Sequence, residues 1–308
     1  MRIAANLTMM FPEMDLLQKY GKVAELGFQL VEVSLPYGCP AEELLQQAEH
    51  HHLKHILINA PAGNWSKGFR GLAALPEQKS NYIESLNIAI QYAKKLNLQK
   101  VHVMAGIAEQ TDKNYEVYVG NIRLACQQFG KESIICLIEP ICEAAVPGYF
   151  MNSYSKGANL LNASELISKQ KMKKSTAALQ VLNEVNEPNL KIMLDFFHAQ
   201  QICGKLTTTI EKLAPFIGHV QVAQVPSRHE PDTDGEINYS YIFNTLKKFG
   251  DWDVGCEYLN SGSDNQYLQW SEVIYPVTDC VCLHSDTARY HRVEEQAHWK
   301  KGSIGMDS

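Results

Sequence analysis

The run Ile134-Ile135-Cys136-Leu137-Ile138-Glu139 closes a stretch of apolar residues on a carboxylate. Three later runs meet an oxygen donor in the same way: Ile192-Met193-Leu194-Asp195, His219-Val220-Gln221-Val222 and Val254-Gly255-Cys256-Glu257. Burying an acid or amide beside Ile, Val and Leu costs free energy unless the group is paired or bound to a cation. Oxygen donors repeated at consecutive strand ends therefore read as a divalent metal site.

Outward from these runs, residues 134–139, 190–196, 218–223 and 252–258 read as strands, and 2–6, 28–34, 54–60 and 100–105 as four earlier ones. Helical periodicity over 14–26, 41–51, 76–96, 115–129, 176–185 and 239–249 falls between them, with Gly27 as a natural C-cap of the first helix. Residues 61–75 carry Gly63, Gly68 and Gly71 without periodicity and read as a long surface loop. Strands rich in Val, Ile and Leu, alternating eight times with helices, select a (β/α)8 TIM barrel with both faces of a parallel sheet covered. A doubly wound sheet usually has fewer strands and often a glycine-rich first turn, and no GxGxxG follows the first strand here.

The intervals from Asp195 to Gln221 and from Gln221 to Glu257 are each close to the roughly 30 residues of one barrel unit. The interval from Glu139 to Asp195 is longer, which places an insert near 156–175, where Lys169, Lys171, Lys173 and Lys174 read as a solvated loop or helix extension. The expected organisation is a catalytic barrel over 1–270 and a divergent C-terminal tail over 271–308.

The chain has 308 residues, 45% hydrophobic and 20% charged, enough to bury a substantial core. A net charge of -6 gives no nonspecific attraction to nucleic acid or an anionic membrane. No apolar run approaches the roughly 20 residues of a membrane span, and the start of the chain lacks the cleavage pattern of a secretory signal, so a cytoplasmic protein is expected. The eight cysteines are scattered without a CxxC pair and read as free thiols of a reducing compartment. The oligomeric state is not legible.

In such a barrel the chemistry sits at the C-terminal ends of the strands, and strands five to eight are neighbours around the ring. Glu139, Asp195, Gln221 and Glu257 can therefore converge on one ion, and carboxylate and amide oxygens without thiolates favour Mg2+ or Mn2+. Each residue taken alone has a plainer role, capping a turn or pairing with a nearby Lys or Arg. His198, three residues after Asp195, can approach the metal or a substrate oxygen, or pack beneath the barrel mouth. Arg228, in the polar loop after strand seven, can clamp a carboxylate bidentately or remain a surface arginine. His50, His51, His52 and His55 read as solvated, away from the catalytic face, and the recurrence of His284, His291 and His298 as chance.

Longer motifs carry a family resemblance. LIEPI with VPGYF at 137–150, MLDFFHAQ at 193–200, HVQVAQVPSRHEP at 219–231, GEINY at 235–239 and GCEY at 255–258 resemble the hydroxypyruvate isomerase family, as do ANLTMMF at 5–11 and APAGNW at 60–65. The resemblance runs from the start of the chain to about Tyr258. It implies a xylose isomerase-like barrel that interconverts hydroxypyruvate and 2-hydroxy-3-oxopropanoate (tartronate semialdehyde) in glyoxylate metabolism, through an enediolate and with a divalent metal. Glu139 and Glu257 match the family's pair of proton donor/acceptor glutamates, and Asp195 and Gln221 its other two metal positions. His198 and Arg228 match positions found in related ketose epimerases.

After Tyr258 the family usually continues with a Pro-Arg-Gly-Asp-like turn, and here Ser261 stands in place of the expected arginine. The competing functions are a ketose or sugar epimerase of the same superfamily and an inactive barrel serving as an interaction protein. The second has no physical need for the four ligands. A zinc endonuclease would need a His-rich ligand set and a basic groove.

Overall fold

In the computed structural model, described for residues 1–154, 177–261 and 270, eight parallel strands close into a barrel in chain order. They are β1 (Arg2–Asn6), β2 (Leu30–Val33), β3 (Lys54–Asn59), β4 (Lys100–His102), β5 (Ile135–Ile138), β6 (Leu190–Asp195), β7 (Ile217–Val222) and β8 (Asp253–Cys256). The ring closes by β8 pairing with β1, with Ala4 opposite Gly255 and Ala5 opposite Cys256. Every expected strand is present, most trimmed at one or both ends.

Around the ring lie α1 (Leu16–Glu25), α2 (Ala41–His50), α3 (Lys79–Lys95), α4 (Asp112–Gly130), α5 (Ala178–Val185), α6 (Phe196–Ile202), α7 (Leu206–Leu213) and α8 (Tyr239–Leu246). Local chemistry sets their ends. Thr111 Oγ1 accepts the Asn114 N–H at 3.2 Å to open α4, and Asn238 Oδ1 accepts the Tyr241 N–H at 3.0 Å to open α8. Gly27, at φ 91, closes α1 as its N–H donates to Ala24 and that of Phe28 to Val23. The short helices α6 and α7 were not expected. Each is only about two turns long, too brief for its periodicity to stand out, and they are separated at Gly204 and Lys205, both at positive φ.

Side chains alternate between the two faces of each strand. Ala4, Leu30, Leu57, Leu137 and Met193 form a small apolar plug. It is distinct from the large core, which includes Val31, Ile58, Ile138, Leu194 and Val220 and packs strands against helices. Two residues further along each strand, on the same face as the plug, the side chains turn polar: Asn6, Glu32, Asn59, Glu139 and Asp195 are all buried. At the opposite end of the barrel Asp253 binds Arg2 at 2.8 Å and Lys100 at 3.3 Å.

Two expectations change. Residues 61–75 are not purely a surface loop, because Leu72, Ala73 and Ala74 are buried and the Ala74 N–H donates to Ala105 at 2.8 Å. Gly71 permits this contact: at φ 122, a Cβ there would lie 2.4 Å from the Met104 carbonyl oxygen. His55 is not solvated. It lies on β3, buried, 2.7 Å from the Tyr20 hydroxyl, and burial pushes its pKa down to about 4.

The lysine-rich segment, the start of the 176–185 helix, the tail, its three histidines, Cys280 and Cys282 lie outside the described residues. The described cysteines are all free. Among the described residues no helix is long and apolar enough to cross a membrane.

Candidate metal and active site

Asp195 is the last residue of β6 and the N-cap of α6. Its Oδ1 accepts the Phe197 N–H at 2.8 Å, which fixes the carboxylate and leaves Oδ2 without a hydrogen-bond partner. Its strand partner across to β7 is Gln221, so the two side chains stand side by side on the inner face. The Gln221 amide is oriented from across the barrel. Its Nε2 donates to Glu32 Oε1 at 2.8 Å, and its Oε1 is buried without a partner. Glu139, directly after β5, likewise has Oε1 buried and unpartnered. Glu257, two residues beyond Gly255 on the inner face of β8, receives Arg228 Nη2 at 2.6 Å.

One oxygen each of Glu139, Asp195 and Glu257 and one ring nitrogen of His198 lie within 4.8 Å of one another. The four sequence-derived oxygen donors thus occupy adjacent strand ends, three of them presenting buried oxygens that nothing in the described protein satisfies. Such atoms are costly unless a further group meets them. Their number and hardness fit a divalent cation.

His198 sits in the same cluster. The Cys142 backbone N–H donates to its Nδ1 at 3.4 Å, which leaves the ring proton on Nε2, the nitrogen 3.4 Å from Asp195 Oδ2. Burial pushes its pKa down to about 4, so the ring is neutral and acts as a donor on this side. That chemistry suits a hydrogen bond to an oxygen better than a metal bond.

The acids repel one another in a desolvated site. Burial, then the charges of Glu257 and Asp195, drives the Glu139 carboxyl well above the usual range. Burial pushes Glu257 up to about 8 against the opposing pull of Arg228, with Asp195 and Glu32 adding to the rise. A cation shared by these groups would hold them ionised together. Arg228 is deeply engaged. It also lies 3.5 Å from Asp195 Oδ2 and stacks at 4.6 Å on the Phe197 ring, and its Nη1 has no partner among the described residues.

Several residues around the site were not anticipated. Glu32 accepts from Asn6 Nδ2 at 2.7 Å and Gln221 at 2.8 Å, and its Oε2 lies 2.6 Å from His219 Nε2. Gly255 makes room for it, since a Cβ there would fall 2.3 Å from its oxygen. His102, at the end of β4, has both ring nitrogens buried and unpartnered, 3.8 Å from Glu139 Oε2, and burial holds it neutral with a pKa near 3. Glu32 carries the same signal as the opening motif, an acid inside the apolar run 30–33. His219 shares the face of Gln221 by its spacing of two. Beyond β8, Ser261, where the family's arginine was expected, donates its Oγ–H to Glu230 at 2.7 Å and so caps a buried acid.

Glu139, Glu257, His198 and Arg228 open onto one cavity of about 500 Å³, which Trp65 and Arg70 also line. A closed parallel barrel with acids converging at the C-terminal ends of its strands defines the class, and residues 21–274 match the model of the xylose isomerase-like TIM barrel family. The chain belongs to that family. Over 272 residues it is 45% identical to a putative hydroxypyruvate isomerase of Caenorhabditis elegans, covering 87% of this chain and 96% of the relative. It is 34% identical to the hydroxypyruvate isomerase of Escherichia coli K12, covering 88% and 98%. It is also 34% identical to a 2-oxo-tetronate isomerase of Pectobacterium atrosepticum, covering 88% and 97%. The chain is an isomerase of this group.

Proposed function

We propose that the chain interconverts hydroxypyruvate and 2-hydroxy-3-oxopropanoate. The observation that carries this reading is that Glu139, Asp195 and Gln221 each present a buried oxygen without a hydrogen-bond partner at adjacent strand ends, with Glu257 beside Glu139 and Asp195 and both glutamates lining one cavity. A divalent ion, Mg2+ or Mn2+, held by these four residues would supply polarisation of the substrate carbonyl and stabilisation of developing negative charge.

The remaining work falls to the chain's own side chains. Moving the carbonyl by one carbon removes a proton from the CH2OH carbon and returns one to the adjacent carbon. Glu139 and Glu257 come from strands on either side of Asp195 and Gln221, so one takes the proton and the other delivers it. Arg228 holds the Glu257 carboxylate through its 2.6 Å contact and keeps Nη1 for a substrate oxygen. His198 offers its Nε2–H to a second substrate oxygen. Phe197 and Ile141 contribute apolar surface beside these groups, which strengthens their electrostatics by excluding water.

The cavity also admits a four-carbon 2-oxo acid, the substrate type named for the Pectobacterium relative, which is the second reading. Turnover of hydroxypyruvate, a 2-oxo-tetronate and free ketoses by the same preparation separates these readings. Isomerisation of the short acids is expected; activity confined to the free sugars contradicts both.

A further inference from the structure

An anionic substrate entering this cavity meets Glu139 and Glu257 at its inner end and needs a cation elsewhere to receive its own carboxylate. The basic side chains lining the cavity are His198, Arg228 and Arg70. His198 turns its Nε2 to Asp195 Oδ2 at 3.4 Å, and the charge of Arg228 is spent on Glu257 and Asp195. Arg70 has no ion pair among the described residues.

Arg70 is nevertheless held in place. Its Nη1 donates to the carbonyls of Trp65 at 3.1 Å and Phe69 at 2.8 Å, and its guanidinium carbon lies 3.9 Å from the centroid of the Trp65 ring. Its Nε and Nη2 have no partner among the described residues. The segment bearing it is pinned to the barrel next door, where Gly71 bridges to Ala105 and its N–H donates to Ala62 at 3.0 Å. A guanidinium fixed by stacking and by two carbonyls, with one two-nitrogen edge unused, matches the planar carboxylate fork. It also follows β3, whereas Glu139 and Glu257 follow β5 and β8, so it is built on a different part of the rim.

We propose that Arg70, braced by Trp65, anchors the carboxylate of a short 2-oxo acid and so places the opposite, reacting end of that acid between Glu139 and Glu257. The proposal deepens the isomerase reading and rests on it for the identity of the reacting end. It makes Arg70 the residue that separates hydroxy-oxo acids from uncharged sugars of similar length.

The test uses the full chain with Arg70→Gln and Arg70→Lys, folding being checked by circular dichroism. Steady-state kinetics on hydroxypyruvate are compared with those on dihydroxyacetone, which replaces the carboxylate by CH2OH. Arg70→Gln is expected to raise KM for hydroxypyruvate about ten- to hundredfold, the range of a lost charge-assisted hydrogen bond, with kcat changed far less and dihydroxyacetone unaffected. Arg70→Lys, which keeps the charge but not the fork, is expected to fall between. Calorimetric binding of pyruvate, which lacks the hydroxyl needed for isomerisation, reads the same contact without turnover. Pyruvate binding that depends on Arg70, in a protein that does not isomerise hydroxypyruvate, would sustain the carboxylate anchor and remove the substrate reading. Equal pyruvate affinity in native and Arg70→Gln protein, no pyruvate binding by the native protein in the millimolar range, or equal losses on both kinetic substrates would overturn the anchor.

Discussion

Glu139 and Glu257 are asked to be acids in a place that opposes ionisation. Burial and neighbouring carboxylates raise both, and among the described residues the only full positive charge in contact is Arg228 on Glu257. Gln221 contributes an oxygen without adding a charge, and Glu32 ensures that the oxygen, not the NH2, faces the site. If the two glutamates move the proton, Glu139→Gln and Glu257→Gln each lower kcat by about 10² to 10⁴ while the thermal midpoint stays near native, because the amide is nearly isosteric. Rapid isomerisation by either variant, followed as loss of hydroxypyruvate, would show that the proton moves elsewhere.

At the scale of elements, β8 and β2 are matched across the barrel. Glu32 occupies the space that a side chain at position 255 would fill. Gly255→Ala is expected to cost about 1 to 3 kcal/mol as an overpacking change, read as a lower urea midpoint at unchanged m-value. An unchanged midpoint would mean that Glu32 is free to move aside. The same contrast explains what the sequence made legible. Glu139, Asp195, Gln221 and Glu257 stand at the ends of strand-length apolar runs, so strand periodicity and barrel order alone bring them together. Glu32 and His102 lie inside β2 and at the end of a three-residue β4, each followed directly by a valine, so neither closes an apolar run in the sequence. Arg70 and Trp65 sit where no period exists, and their placement follows from Gly71 lying against Met104 and Ala105 just after β4, a contact remote in sequence. His55 was misread because four neighbouring histidines straddle a boundary: three lie at or just beyond the end of α2, while the fourth is one residue into β3 and points into the packing beside Tyr20.

For the whole molecule, burial holds three histidines below their usual 6.5: His55 at about 4, His198 at about 4 and His102 at about 3. At these three groups the unfolded chain binds more protons than the fold at pH values between these and 6.5, so their contribution to stability is full above about 6.5 and declines as pH falls towards 4. His55 lies at the end of the barrel away from the acids, so His55→Gln isolates its share. The expected result is a shallower fall in thermal midpoint between pH 6.5 and 4 than in the native chain; an identical slope would mean that His55 does not stay neutral in the fold. The barrel's other end carries the proposed site, and there the decisive quantity is conversion of hydroxypyruvate to tartronate semialdehyde before chelation, after chelation, and after return of Mg2+ or Mn2+. Loss of turnover on chelation and its recovery with either ion are expected. Undiminished turnover by the chelated protein would contradict the reading of Glu139, Asp195, Gln221 and Glu257 as a metal site.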